Sequence, residues 1–178
     1  MSKIGIFFGT DTGNTRKIAK MIAKKIGDDA AKPLNVNRVS VDDMLEYDYL
    51  IFGSPTLGDG ELPGLSAAAE EESWEEFLPQ LSEQGLGGKT IALFGMGDQE
   101  GYPDNFVDAI GIIHEELEDS GAKIVGFWPT EGYEYSSSRA VIDDEFVGLV
   151  LDQENQSDKH EERISQWLDL IRPEFGLS

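Results

Sequence analysis

Seven consecutive residues, Gly9-Thr10-Asp11-Thr12-Gly13-Asn14-Thr15, combine two glycines and three threonine hydroxyls with the start of a helix-like stretch. The chemistry they suit is anion binding. Glycine lets the backbone turn tightly and approach a ligand closely. A helix N-terminus adds unsatisfied N–H groups and a partial positive charge. No lysine lies within the run; Arg16 and Lys17 come just after it. That argues against a nucleotide-triphosphate loop, in which a lysine reaches the outer phosphates. A compact phosphate monoester held by hydroxyls and amides fits better, and an ordinary strand-to-helix turn with threonine as N-cap is the plain alternative.

Two further loops carry chemistry. Gly53 to Gly64 holds four glycines and two prolines in twelve residues, including Ser54, Pro55, Thr56, Leu57 and Gly58. Such a loop is rigid in parts and can flip a peptide in others. Gly95 to Phe106 offers three glycines, with Gly97, Asp98, Gln99, Tyr102 and Asn105 among them. Its carboxylates and amides could read a ring edge. Tyr102 could serve as a platform for a planar ligand, or pack back on its own loop.

The elements that must position these loops alternate along the chain. Lys3–Phe8 reads as a strand, and Thr15–Ile26 as a helix with an apolar stripe of Ile18, Ala19, Ile22, Ala23 and Ile26. Leu34–Val39 alternates like a half-buried strand. Asp48–Gly53 and Thr90–Gly95 are continuous apolar runs, suited to parallel strands buried on both faces. Ser73–Leu81 and Phe106–Ser120 read as helices, Lys123–Trp128 as a fifth strand, and Arg163–Ile171 as a closing helix ended by Pro173. This alternation predicts an α/β fold, a doubly wound parallel sheet with helices on both faces. Ligands of such sheets sit at the carboxyl ends of the strands, where all three loops fall.

Charge narrows the partners. Thirty-five acidic against fourteen basic side chains give a formal charge of −21. Six of the basic residues (Arg16, Lys17, Lys20, Lys24, Lys25 and Lys32) lie in or just beyond the first helix, while twelve acidic residues and no basic one separate Arg38 from Lys89. Nucleic acid is a poor partner for such a surface. Steered association with a basic protein is its natural use. With no cysteine there is no disulfide or thiol catalysis. No signal peptide or membrane span is read, so a soluble, cytoplasmic protein is expected. The carboxylates Glu70–Glu72, Glu75 and Glu76 read as a solvated face or docking surface rather than a metal site. His114 and His160 read as solvated helix residues, and Trp74, Trp128 and Trp167 as core or flank.

Four segments at their spacings carry a resemblance: TDTGNT (Thr10–Thr15), SPTLGDGELPG (Ser54–Gly64), FGMGDQEGYPDNF (Phe94–Phe106) and the tail FVGLVLDQENQSD (Phe146–Asp158). With these the chain resembles a flavodoxin over residues 1–178, read as one flavodoxin-like FMN-binding domain. Phe127 to Phe146 resembles the insertion that splits the last strand in long-chain flavodoxins. Leu65–Trp74 resembles the nitrogen-fixation branch, whose members donate electrons to nitrogenase reductase. The resemblance implies a flavodoxin-like five-stranded sheet of order 2-1-3-4-5 and non-covalent flavin mononucleotide (FMN). Its phosphate would meet Thr10, Asp11, Thr12, Gly13, Asn14 and Thr15. Its ring would lie between Leu57 and Tyr102, with Gly97, Asp98, Gln99 and Asn105 near the pyrimidine edge. Ser54, Pro55, Thr56, Gly58 and Gly95 complete the implied contacts.

The implied function is low-potential one-electron transfer, shuttling between semiquinone and hydroquinone. A carbonyl in the Gly58-Asp59 peptide would turn to accept the proton on flavin N5. Surrounding carboxylates would disfavour the anionic hydroquinone. Nitrogenase reductase and ferredoxin–NADP reductase are the implied partners of a monomeric carrier, not an enzyme. The rival within the superfamily is an FMN-dependent NAD(P)H:quinone oxidoreductase.

Overall fold

The computed structural model describes residues 3–9, 13–57, 60–65 and 72–177. Three strands form the centre of a parallel sheet: β1 (Ile4–Phe8), β3 (Tyr49–Pro55) and β4 (Thr90–Met96). They lie in register as Phe7, Phe52 and Leu93, then Phe8, Gly53 and Phe94. Helices cover both faces, so these strands bury every side chain between their ends. That is why their sequences run apolar without alternation. Gly53 is required by close approach: a Cβ there would lie 2.0 Å from Cζ of Phe94.

With β2 (Leu34–Asn35) and β5 (Lys123–Val125) outside these three, the full order is β2-β1-β3-β4-β5. The outer strand is split, as the insertion implied. β5 (Lys123–Val125) pairs with Thr90–Ala92 of β4, and β9 (Leu149–Leu151) pairs with Phe94–Met96 further along the same strand. Between them the chain makes a small antiparallel sheet of β6 (Trp128–Pro129), β7 (Val141–Ile142) and β8 (Glu145–Phe146), ordered β6-β8-β7.

The long helices are α1 (Asn14–Ile26), α3 (Trp74–Ser82), α4 (Asp108–Asp119) and α6 (His160–Ile171). α1 packs with α6 and α3 with α4, which places layers on both faces of the sheet. The three tryptophans are buried as expected, and each indole N–H is paired. Trp74 donates to the Gly53 carbonyl at 2.8 Å, Trp167 to the Gly126 carbonyl at 2.8 Å, and Trp128 to the Tyr133 hydroxyl at 2.9 Å.

Three expectations are corrected. The predicted strand Leu34–Val39 shrinks to β2, Leu34–Asn35. The Asn35 side chain accepts from the N–H of Asn37 at 3.2 Å and turns the chain into a 3-10 turn, Val36–Arg38. A short helix follows, α2 (Val41–Leu45), started by a reciprocal Ser40–Asp43 capping box. α4 begins at Asp108 rather than Phe106, because Val107 takes a left-handed φ of 49°. The last helix starts at His160, three residues earlier than predicted.

Nor are the histidines solvated. His114 falls on the stripe Ile110, Ile113, His114, Leu117 that α4 turns inward; it is 5% exposed and packs edge-on against Phe127. His160 is 6% exposed. Burial is the main cause that holds both imidazoles below their ordinary pKa, helped at His160 by Arg163 and opposed at His114 by Glu118. An unfolded imidazole therefore takes up a proton at a higher pH than the folded one. The sign follows: stability present above the unfolded value is lost as pH falls below it. Urea midpoints should drop on going from about pH 7.5 to 5.5, and His114→Gln should flatten that drop.

Candidate functional site

The carboxyl ends of β3 and β4 and the start of α1 surround a cleft of about 310 Å³. This falls within the range of roughly 300–1,000 Å³ usual for small-ligand sites. Nine of the predicted residues line it: Asn14, Thr15, Pro55, Thr56, Leu57, Gly97, Asp98, Tyr102 and Asn105. Thr10, Asp11, Thr12 and Gly58 lie outside the described residues, as does Asp59. No lysine or arginine lines the cleft among the described residues. A wider groove of about 490 Å³ runs between Val36–Asp42 and Glu72–Gln84. It is acidic and contains none of the three loops' ring-binding or phosphate-binding groups.

At the α1 end, Gly13 takes φ 93° and leads into the helix with no side-chain cap and no acidic residue in the first turn. No acidic side chain of the helix's own first turn offsets its dipole there. Thr15 is buried just inside this turn.

On the β3 side, the loop is anchored at both flanks. Thr56 Oγ1 accepts from the N–H of Ala109 at 3.1 Å, tying the loop to α4. Leu57 N–H donates to the Glu61 carbonyl at 2.9 Å, and Glu61 N–H returns to the Leu57 carbonyl at 2.7 Å. These bonds bring Leu57 and Glu61 together across the loop. Gly60 has φ 95° and rests on Asp108 and Asn105. Ser54 is fully buried below, its hydroxyl donating to the Pro55 carbonyl. Gly95 is likewise inside β4, against Ile110.

The β4 loop presents Tyr102, which is 55% exposed, to the cleft mouth. Asp98 staples this loop: its Oδ1 accepts from Gly101 N–H at 2.8 Å, Asn155 Nδ2 at 2.9 Å and Glu100 N–H at 3.1 Å. The Gly101 bond leads in holding this carboxyl below the usual carboxylate range. Gln99, read as a ring-edge group, has its polar atoms engaged within the protein. Its backbone and side-chain N–H groups donate to Asp152 Oδ2 at 3.0 and 2.7 Å, and its Oε1 accepts from Glu134 N–H at 2.6 Å.

Asp152 is the centre of this support. It is fully buried and accepts five bonds, the other three coming from Glu154 N–H, Asn155 N–H and Asn155 Nδ2. It thereby caps α5 (Gln153–Gln156) while gripping the β4 loop. The insertion adds a second support. Tyr133 donates to the Val150 carbonyl at 2.6 Å and lies under the Arg163 guanidinium at 4.1 Å. Burial pushes this phenol up to about 12.

Sequence reasoning missed Met96, Val107, Gln153 and Glu154 as cleft-lining residues. It also missed Asp152. An acidic residue ahead of a short polar helix is an N-cap signal, and reading it would have found that aspartate. Nothing local marks Val107. Among the described residues there is no cluster of three or more potential metal ligands, and no helix is long and apolar enough to cross a membrane.

Comparison with known proteins agrees with this geometry. The flavodoxin family model matches residues 6–167. A flavodoxin of Klebsiella pneumoniae is 56% identical over 172 residues, covering 97% of this chain and 98% of that protein. One from Synechocystis sp. is 45% identical over 174 residues, with coverage of 97% and 98%. The crystal structure of Fusobacterium nucleatum flavodoxin bound to flavin mononucleotide superposes with a TM-score of 0.88 at 32% identity, covering 98% of this chain and 99% of that one. The chain therefore belongs to the flavodoxin family.

Proposed function

We propose that residues 1–178 form one FMN-binding domain that carries electrons singly and docks through its acidic surface to a basic redox protein. The observation that carries the reading is the cleft itself. It joins an exposed tyrosine and a leucine to a helix start free of acidic residues in its first turn, with no cationic lining among the described residues. The donor set suits a planar ring and a phosphate monoester, and the FMN-bound relative supports it. Bound FMN supplies a centre able to take one or two electrons, with the protein deciding which forms are stable.

The chain's own residues then divide the work. Gly13, Asn14 and Thr15, with Thr10, Asp11 and Thr12, hold the phosphate through N–H and hydroxyl groups. Leu57 and Tyr102 exclude water from the two ring faces. Gly97 and Asn105, with the Asp98 backbone, meet the ring edge, while Ser54, Gln99 and Gly95 hold the walls from behind. A carbonyl of the Gly58-Asp59 peptide would be the acceptor offered to a protonated ring nitrogen of the bound flavin. The charge of −21 disfavours adding a second negative charge, which lowers the potential of the second electron.

A cytoplasmic monomer delivering to nitrogenase reductase, or exchanging with ferredoxin–NADP reductase, suits this field. The reading of the 65–74 segment favours the former. Titration of the apoprotein with FMN should give one site. Tyr102→Ala should weaken it about tenfold, with little change in apoprotein stability because the side chain is largely exposed. Uptake of no FMN would refute the reading. Electron transfer to a basic partner should slow as salt rises.

A further inference from the structure

His160 opens α6 with its ring buried beside α5. Its Nε2 lies 3.1 Å from Oε1 of Gln153, and its buried Nδ1 has no hydrogen-bond partner. An amide oxygen only accepts, so Nε2 must carry the hydrogen and Nδ1 the bare lone pair. This assignment is also the less costly one, because a buried unpaired acceptor is tolerated more readily than a buried unpaired N–H. Asp152, Asp158 and Arg163 are the charged groups that face the ring. Burial is the main cause that holds the imidazole below its ordinary pKa, and Arg163, held over Tyr133 and bonded to Gln156 Oε1 at 2.7 Å, adds a nearby positive charge in the same direction. With Oε1 engaged by His160, the amide is oriented and its NH₂ supplies the two donors that Gln153 has to offer. Gln153 lines the cleft.

We propose that His160 is a positioning residue that fixes the Gln153 amide so that its N–H donors face the cleft and meet an acceptor oxygen of the bound ligand. The proposal rests on FMN as that ligand, whose hydroxyl, carbonyl and phosphate oxygens all accept. Gln153 is then a specificity residue: it favours oxygen acceptors along the wall formed by α5 and disfavours donors there. A neutral imidazole is the right orienter, since it has one N–H to give and a ring too confined to turn.

The test measures FMN dissociation constants for the wild-type protein and the variants His160→Ala, Gln153→Leu, their combination, and His160→Gln. The last keeps an N–H donor near the position of Nε2. Each of the first two should weaken binding roughly three- to tenfold, the size of one hydrogen bond. The combination should be no weaker than Gln153→Leu alone, and His160→Gln should bind nearly as the wild type does. Wild-type affinity in His160→Ala, or losses that multiply in the combination, would overturn the proposal. Should His160→Ala fail to fold, the imidazole ¹⁵N shifts of the wild-type apoprotein decide: an Nε2–H tautomer supports the assignment, and an Nδ1–H tautomer overturns it. Failure of the wild-type protein to bind FMN would instead refute the underlying reading. Normal wild-type uptake with an unaffected His160→Ala refutes this inference alone.

Discussion

Replacing Asp152 by alanine is expected to destabilise the apoprotein by about 3 kcal/mol or more and to weaken FMN binding at least tenfold. The reason is arithmetic. Five N–H groups point at one fully buried carboxylate, and they come from two separate segments, Gln99 on the β4 loop and Glu154 with Asn155 on α5. Removing the acceptor leaves several donors buried without partners, each costing roughly 1–3 kcal/mol unless water enters. The loop that carries Tyr102 would then lose its grip through Gln99, leaving the Asn155–Asp98 and Gly97–Leu151 bonds to hold it. Asp152→Asn should fall between wild type and alanine. It retains Oδ1 for the α5 cap but turns an NH₂ group toward the donors of Gln99. Urea denaturation and FMN titration on the three proteins check this. A loss below about 1 kcal/mol for alanine would contradict it.

Gly60→Ala is expected to cost about 2–3 kcal/mol, and to shift the one-electron potentials of the bound flavin more than it weakens binding of the oxidised form. Part of the cost is backbone: φ is 95°, and an L-residue pays roughly 1–2 kcal/mol in left-handed conformations. The rest is contact. An added Cβ would lie 2.6 Å from Oδ2 of Asp108, and that carboxylate cannot swing away freely because Oδ1 accepts from Arg139 N–H at 2.7 Å. Burial raises the Asp108 carboxyl above its ordinary pKa, in keeping with its confinement. Gly85→Ala is the control. Gly85 has φ 73° with open space around it, so it should show the backbone cost alone. Equal losses at the two glycines would mean that the Asp108 contact is unimportant to the turn.

The large features of this fold are written locally. Continuous apolar runs at Ile4–Phe8, Tyr49–Pro55 and Thr90–Met96 can only be strands covered on both faces, and the loops that leave them must open at one edge. The split outer strand was legible only through resemblance. Its pieces β5 and β9 are three residues each and lie far apart in the chain, joined in space by β4. Where reading failed, side chains acted on the backbone or on distant partners. Leu34–Val39 has the alternation of a strand, yet one Asn35 side chain and one Ser40 cap divert it into turns. Gln99 has the chemistry of a ligand contact, but Asp152, 53 residues away, takes both its donors. His114 and His160 carry no motif, and only the phase of α4 and the approach of α5 to α6 show that they are inside.

The central claim, a one-electron FMN carrier, is tested most directly by stepwise anaerobic reduction of the FMN-loaded protein, followed by its visible spectrum. The account predicts a yellow protein that passes through a blue, one-electron-reduced form dominant near half-reduction. That form should bleach only at strongly reducing potential. Direct bleaching by NAD(P)H in a single two-electron step, with no long-wavelength absorption in between, would contradict it.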